Sequence, residues 1–209
     1  VDEGQINSVG ALADPTRRRA YELVVEAGRP VGRDEVAREL GVGRTLAAFH
    51  LDRLVEARLL EAVFARLTDR TGPGAGRPAK LYRRSDAQVE VTLPPRSYVE
   101  VGSVLAEAIE RAGADLALQR VAFERGRAAS SQTMDNALRE RGYEPATTPE
   151  GDICLRNCPF HTLAEEFPPL ICGMNLALLT GLAEGAGWPV TPRMRPEKGR
   201  CCVVLERQG

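Results

Sequence analysis

Lysine is nearly missing from this chain, standing only at positions 80 and 198, so almost all of its 28 basic residues are arginine. Cysteine is absent from the first 153 residues. No apolar run approaches the roughly 20 residues that a membrane helix needs, so no spanning segment is expected. The opening Val1-Asp2-Glu3 is acidic and lacks a signal-peptide pattern, which points to the cytoplasm. There is no internal repeat, no low-complexity tract and no C-x-x-C. Only two histidines occur, and His161 is the one candidate base close to a cysteine in sequence. A thiol enzyme is disfavoured on those grounds, and no enzyme is expected. What remains is ordinary for a folded chain: 43% hydrophobic and 27% charged residues exclude disorder. A length of 209 residues suits one large domain or two small ones with cores that need no disulfides.

The net charge of −1 hides an asymmetry. Residues 1–86 carry 15 basic against 13 acidic side chains, and residues 87–209 carry 13 against 16. The basic excess is sharpest at 66–84, where Arg66, Arg70, Arg77, Lys80, Arg83 and Arg84 face only Asp69. Such a strip suits phosphate.

Asp14-Pro15 opens a helix, with a capping carboxylate before proline at the first helical position, and Gly28 closes it. A short second helix is predicted over 31–40, stopped by Gly41, and a third over 44–57. Strands follow over 59–67 and 80–83, separated by the Gly/Pro-rich turn 71–78. Helix, Gly41-Val42-Gly43 and helix make a helix-turn-helix, and the hairpin after it is its wing. The third helix fits a major groove, with backbone N–H groups and Arg44 at its leading end. Ala47, Leu51, Leu54 and Val55 share its core face, while Arg44, Thr45, Ala48 and Phe49 lie off it. Phe49 either touches thymine methyls or packs inside. His50 is either packed or set against a phosphate. Arg53 on the same helix, with Arg70, Arg77 and Lys80 of the basic strip, completes the candidate DNA-contacting set.

Residues 85–95 read as a linker. Two apolar helices over 96–112 and 114–131 are predicted to contribute to a homodimer interface, with packing inside one subunit as the alternative. From 132 the pattern becomes mixed α/β: a helix at 134–141, strands at 143–148 and 152–156, helices at 159–167 and 170–184, and a hairpin of 189–195 with 201–207. The expected fold is therefore α+β in three parts. A winged helix-turn-helix DNA-binding domain spans 1–86, linker and dimerisation helices 87–131, and a small cysteine-bearing α/β domain 132–209.

All five cysteines crowd into the last 56 residues, as Cys154-x3-Cys158-x13-Cys172-x28-Cys201 with Cys202 adjacent. In a reducing compartment this clustering suggests metal or redox chemistry rather than disulfides. If Cys201 and Cys202 begin a strand, their side chains point to opposite faces and only one easily enters a shared site. His161 is read as a polar helix residue beside the site, with ligation as the alternative. Four thiolates suit either an iron–sulfur cluster or structural zinc, although the paired C-x2-C of zinc ribbons is absent.

Several segments resemble a known family. The stretch Ala11-Leu12-Ala13-Asp14-Pro15-Thr16-Arg17-Arg18 resembles the opening of ArsR-like winged-helix regulators. The stretches 46–57 and 76–83 resemble the recognition helix and wing of the SufR-type branch. Asn157-Cys158-Pro159-Phe160-His161, Cys172-Gly173-Met174-Asn175 and Gly199-Arg200-Cys201-Cys202 resemble its C-terminal domain. The resemblance implies a dimeric repressor that binds a double-stranded DNA operator and carries an iron–sulfur cluster; the alternative that the residues leave open is a winged-helix regulator with a structural zinc site that responds to a small-molecule ligand. It implies ligation by Cys154, Cys158, Cys172 and Cys201; His161 and Cys202 are further, less favoured candidates from the residue spacing alone. It also has glycine where this chain has Arg58. A left-handed residue there would cost a non-glycine on the order of 1 kcal/mol.

Overall fold

The computed structural model describes residues 2–65, 78–129, 133–197 and 199–208. Residues 66–77, which hold Arg66, Arg70, Arg77 and all but the last residue of the expected turn 71–78, lie outside the described residues. The chain is α+β, with helices and two small antiparallel sheets, and it divides into two compact units, Val1–Arg96 and Ser97–Gly209.

The first unit begins with a helix that the sequence reading omitted, α1 (Glu3–Ala11). Its start is a capping carboxylate, Asp2, which accepts from the Gly4 N–H. Helix α2 (Pro15–Ala27) starts as expected, with Asp14 accepting from the Arg17 N–H and Gly28 closing it in the left-handed conformation. Val31–Gly32 are not helical. They form a short strand, β1, because Val31 pairs with Tyr82 and buries its side chain in the core. Helix α3 (Arg33–Leu40), three residues of turn and helix α4 (Arg44–Glu56) follow. Strands β2 (Leu60–Ala65) and β3 (Ala79–Arg84) pair antiparallel, in the sheet order β1-β3-β2.

Ala20, Val24, Val36, Ala47, Leu51, Leu54, Leu60 and Tyr82 make the core of this unit. The core face of α4 is the one its periodicity predicts, with Val55 packed at its edge. Arg58 leaves α4 with φ of 57°, the left-handed region in which a side chain is strained by about 1 kcal/mol. Val89 packs on the same core, and the Glu90 N–H donates to the Gln5 side chain, so the expected linker lies on the first unit.

The second unit comprises α5 (Tyr98–Arg111), α6 (Asp115–Ala128), α7 (Met134–Glu140), β4 (Pro145–Thr147), β5 (Ile153–Leu155), α8 (His161–Glu166), α9 (Pro168–Ala186), β6 (Val190–Met194) and β7 (Val203–Arg207). Its sheet order is β4-β5-β7-β6, so the last strand enters between two earlier ones. Leu138, Tyr143, Leu155, Leu179, Leu182, Val203 and Leu205 form its core.

Helix α9 corrects the reading of apolar runs, since its 19 residues are long and apolar enough to cross a membrane by length and composition alone. In the fold it packs against α6, α8, β6 and β7 and buries an asparagine. Helices α6 and α9 touch backbone to backbone. A Cβ on Gly126 would lie 2.2 Å from Leu178 O, one on Gly181 2.1 Å from Phe123 O, and one on Gly185 2.4 Å from Arg127 O. Gln119 lies beside Gly173 and Arg127 beside Gly185, eight residues on along α6 and twelve along α9, so the two helices run in the same direction.

Gly181→Ala is therefore expected to destabilise this unit by about 1–3 kcal/mol or more, because the obstruction is main chain that cannot yield. Calorimetry should record a fall in Tm of the order of 10 °C. Gly173→Ala meets only the end of the Gln119 side chain, at 3.0 Å, and should leave Tm nearly unchanged.

Candidate functional site

Each unit carries one candidate site. In the first, α4 presents Arg44, Thr45 and Arg53 to solvent, with Ala48 half-buried between them. Phe49 is 49% exposed. It does not pack inside; it walls an open cleft of about 550 Å³ with Ile6 and Gly10 of α1, and the Arg53 guanidinium stands 5.6 Å from its ring centre. His50 is buried, which removes it from the exposed set and fits the packed alternative. Its ring meets Phe49 edge-on, and its Nδ1 has no hydrogen-bond partner.

The exposed cations of this face are paired within the molecule. Arg44 donates to Asp34 at 2.9 Å, Arg53 to Glu56 at 2.8 Å and Lys80 to Asp52 at 2.6 Å. Such exposed pairs are worth at most about 1 kcal/mol each, so phosphate can displace the acids. Asp52 also accepts from the Tyr82 hydroxyl at 2.8 Å and so ties α4 to β3. Burial alone would raise the Asp52 pKa, but the Lys80 and Tyr82 hydrogen bonds outweigh it and hold the carboxyl below its ordinary value. Of the other candidates, Arg70 and Arg77 lie outside the described residues.

In the second unit, four thiols from three chain segments converge. Cys158 comes from the loop between β5 and α8, Cys172 from α9, and Cys201 and Cys202 from the residues just before β7. Cys201 is the hub. Hydrogen bonds from Cys158 and Cys202, followed by the Val203 N–H and the Asn175 amide, drive its pKa far below the ordinary thiol value despite burial. The hydrogen bond to Cys201 raises Cys158, with burial adding to it. Cys202 is raised by its hydrogen bond to Cys201, by burial and by Cys172. Cys201 is thus the acceptor toward which its neighbouring thiols turn.

Cys201 and Cys202 both enter this group, against the expectation from strand alternation. The reason is local: β7 begins only at Val203, and Gly199, at φ of 82°, turns the chain before it. Cys154 stays out of the group. On β5 its neighbours Ile153 and Leu155 face the core, while its own Sγ donates to Ala146 O at 3.3 Å across the sheet. His161 also stays out, exposed on α8 and 3.3 Å from Glu165.

Asn175 and Tyr143, buried beneath the thiols, were not singled out from the sequence. The Asn175 Nδ2 donates to Cys201 Sγ at 3.2 Å, and its Oδ1 accepts from the Tyr143 hydroxyl. The available signal was an asparagine one helical turn after Cys172 inside an apolar helix.

By donor type alone the group offers what a thiolate-bound metal uses: sulfurs that meet pairwise, Cys158 and Cys202 at Cys201 and Cys172 at Cys202, with the Asn175 amide N–H on Cys201. The described residues do not, as they stand, present three or more His, Cys, Asp or Glu donors already gathered to hold an ion.

In reduced, metal-free protein the thiols set a pH profile. Cys201 stabilises the fold above the unfolded thiol pKa of about 8.5, and that contribution is lost as pH falls. Cys158 and Cys202 act oppositely, because above about 8.5 the unfolded chain ionises thiols that the fold keeps protonated. Calorimetry between about pH 6 and 10 should therefore show Tm highest near pH 8–9, and Cys201→Ser should remove the rising limb. No protein-family model matches this chain, and no curated protein sequence matches it.

Proposed function

We propose that the chain is a DNA-binding transcriptional regulator. In this reading the first unit is a winged helix-turn-helix that reads an operator, and the second carries a thiolate-bound metal centre that controls operator affinity. The observation that carries it is the meeting of Cys158 and Cys202 with the buried Cys201 sulfur, and of Cys172 with Cys202, in a chain whose other unit exposes Arg44 and Arg53 on a helix that follows a three-residue turn.

On the DNA side, α4 is the recognition helix. Arg44 and Arg53 release Asp34 and Glu56 and engage phosphate or base edges, while Phe49 offers an apolar edge to thymine methyls. The Asp52 bridge to Lys80 and Tyr82 keeps β3, and with it the arm that leads to the basic turn, in register with α4. A second copy of the chain, which a two-fold operator requires, would cover the apolar stripe of α5 formed by Tyr98, Val101, Val104 and Leu105, all well exposed in the single chain.

On the sensing side, the cofactor we favour is an iron–sulfur cluster on Cys158, Cys172, Cys201 and Cys202, which supplies sensitivity to oxidation and to iron supply when bound. Cys202 takes the place first given to Cys154. Direct sulfur–sulfur contact supports the zinc alternative, because a tetrahedral ion with Zn–S of about 2.3 Å separates its sulfurs by about 3.8 Å.

Two measurements test the reading. Anaerobic reconstitution with iron and sulfide, or with zinc, should load wild type and Cys154→Ser equally and fail for Cys202→Ser, with elemental analysis reporting which metal is retained. Loss of loading in Cys154→Ser alone would refute this ligand set. In operator titrations the loaded and metal-free proteins should differ by about 5–150-fold. Arg44→Ala should weaken both, and Leu105→Glu should yield a monomer by sedimentation that binds only weakly. Equal affinity of the loaded and metal-free forms would eliminate sensing.

A further inference from the structure

Helix α9 is apolar through its middle, yet at one position on its core face it carries an amide. Asn175 is completely buried, with Ile171 and Leu179 buried one turn to either side. Burying an amide is costly unless its polar atoms are satisfied, and a leucine would fill an apolar helix face without that requirement. The two satisfying partners are unusual. One is the phenol of Tyr143, itself 1% exposed, and the other is a sulfur.

The phenol does more than satisfy the carbonyl. By donating to Oδ1 it fixes which end of the amide faces Cys201: the N–H₂ is directed at the sulfur and the carbonyl away from it. Rotated by 180°, the amide would set oxygen lone pairs against the sulfur and leave the phenol facing N–H groups. An N–H aimed at sulfur withdraws negative charge from it, and such contacts orient ligands and tune the metal they hold.

We propose that Asn175, oriented by Tyr143, is a positioning residue that donates to the Cys201 sulfur of the metal-bound centre and sets the charge that sulfur carries. The inference rests on the metal-centre reading above. It assigns functions to two residues that are not themselves ligands.

The probe is cobalt(II) alone, added anaerobically to the reduced, metal-free full-length chain. The readouts are the sulfur-to-cobalt charge-transfer band and the dissociation constant. Asn175→Leu removes the donor and should shift the band to lower energy and weaken binding by about 10–100-fold. Tyr143→Phe loses one hydroxyl, keeps the core filled, and should give a smaller shift in the same direction. Asn175→Asp is closest in shape to the native residue but turns an acceptor toward the sulfur, so it should bind cobalt most weakly of the three.

That ranking separates electrostatics from packing, because a merely structural role makes the isosteric aspartate the mildest change. Charge-transfer bands in wild type that are unmoved in Asn175→Leu and Tyr143→Phe, with aspartate the mildest variant, would overturn the role of Asn175 and leave the metal centre standing. Wild type without any sulfur-to-cobalt band would overturn the metal centre and this inference with it. Should Asn175→Asp fail to fold, the band position in Tyr143→Phe decides alone.

Discussion

The second unit depends on a place where two helices meet without side chains between them. Gly126 on α6 and Gly181 and Gly185 on α9 let the two backbones touch, and no residue with a Cβ fits at those positions. That contact fixes α9 lengthwise as well as laterally, because each glycine meets a particular carbonyl of the other helix. Cys172 and Asn175 sit near the opposite end of the same rigid rod, so the seam sets where a thiol and an amide are delivered. Loops bring Cys158, Cys201 and Cys202 to that fixed point. The precision of the site thus comes from a helix pair, and the loops need only reach it.

The first unit achieves a comparable result with a carboxylate. Asp52 projects from α4 and accepts from both Lys80 and Tyr82, so one side chain joins the helix to the strand. Its neighbours on α4 hold the rest of the surface near neutrality, since Arg44 and Arg53 each have an acid in hand. A face of this kind has modest attraction for polyanions at a distance and gains its cations only on close approach.

Much of this architecture was legible in the residue order, because its signals are local. Asp14-Pro15 and Gly28 bracket α2, Gly41 and Gly43 bracket the turn before α4, and the core periodicity of α4 is the one found. Elements that depend on distant partners were not legible. Val31–Gly32 read as helix from their own neighbourhood and became strand because β3 pairs with them. Helix α1 was passed over because its few apolar residues give a weak stripe. In the thiol group, clustering pointed to the region where Cys158, Cys172, Cys201 and Cys202 meet, while Cys154 hydrogen-bonds elsewhere. Strand alternation ranked Cys202 behind Cys201 on the assumption that β7 starts at Cys201, and a start two residues later removes the reason for that ranking. Asn175 was invisible for a related reason: a polar residue in an apolar helix gains meaning only when its partners, 32 residues before and 26 after, are known.

The sheet order β4-β5-β7-β6 governs how the second unit can assemble during synthesis. Strand β6 emerges before β7 yet has no edge to join until β7 slots in beside β5. A nascent chain exposes an unfinished sheet, with Cys158 and Cys172 already made and their two counterparts still to come. Closure of the sheet and arrival of the last sulfurs are a single late event, rich in long-range contacts and correspondingly slow. A quality-control protease that meets the chain before that moment finds an open edge, and one that meets it afterwards finds none between β5 and β6.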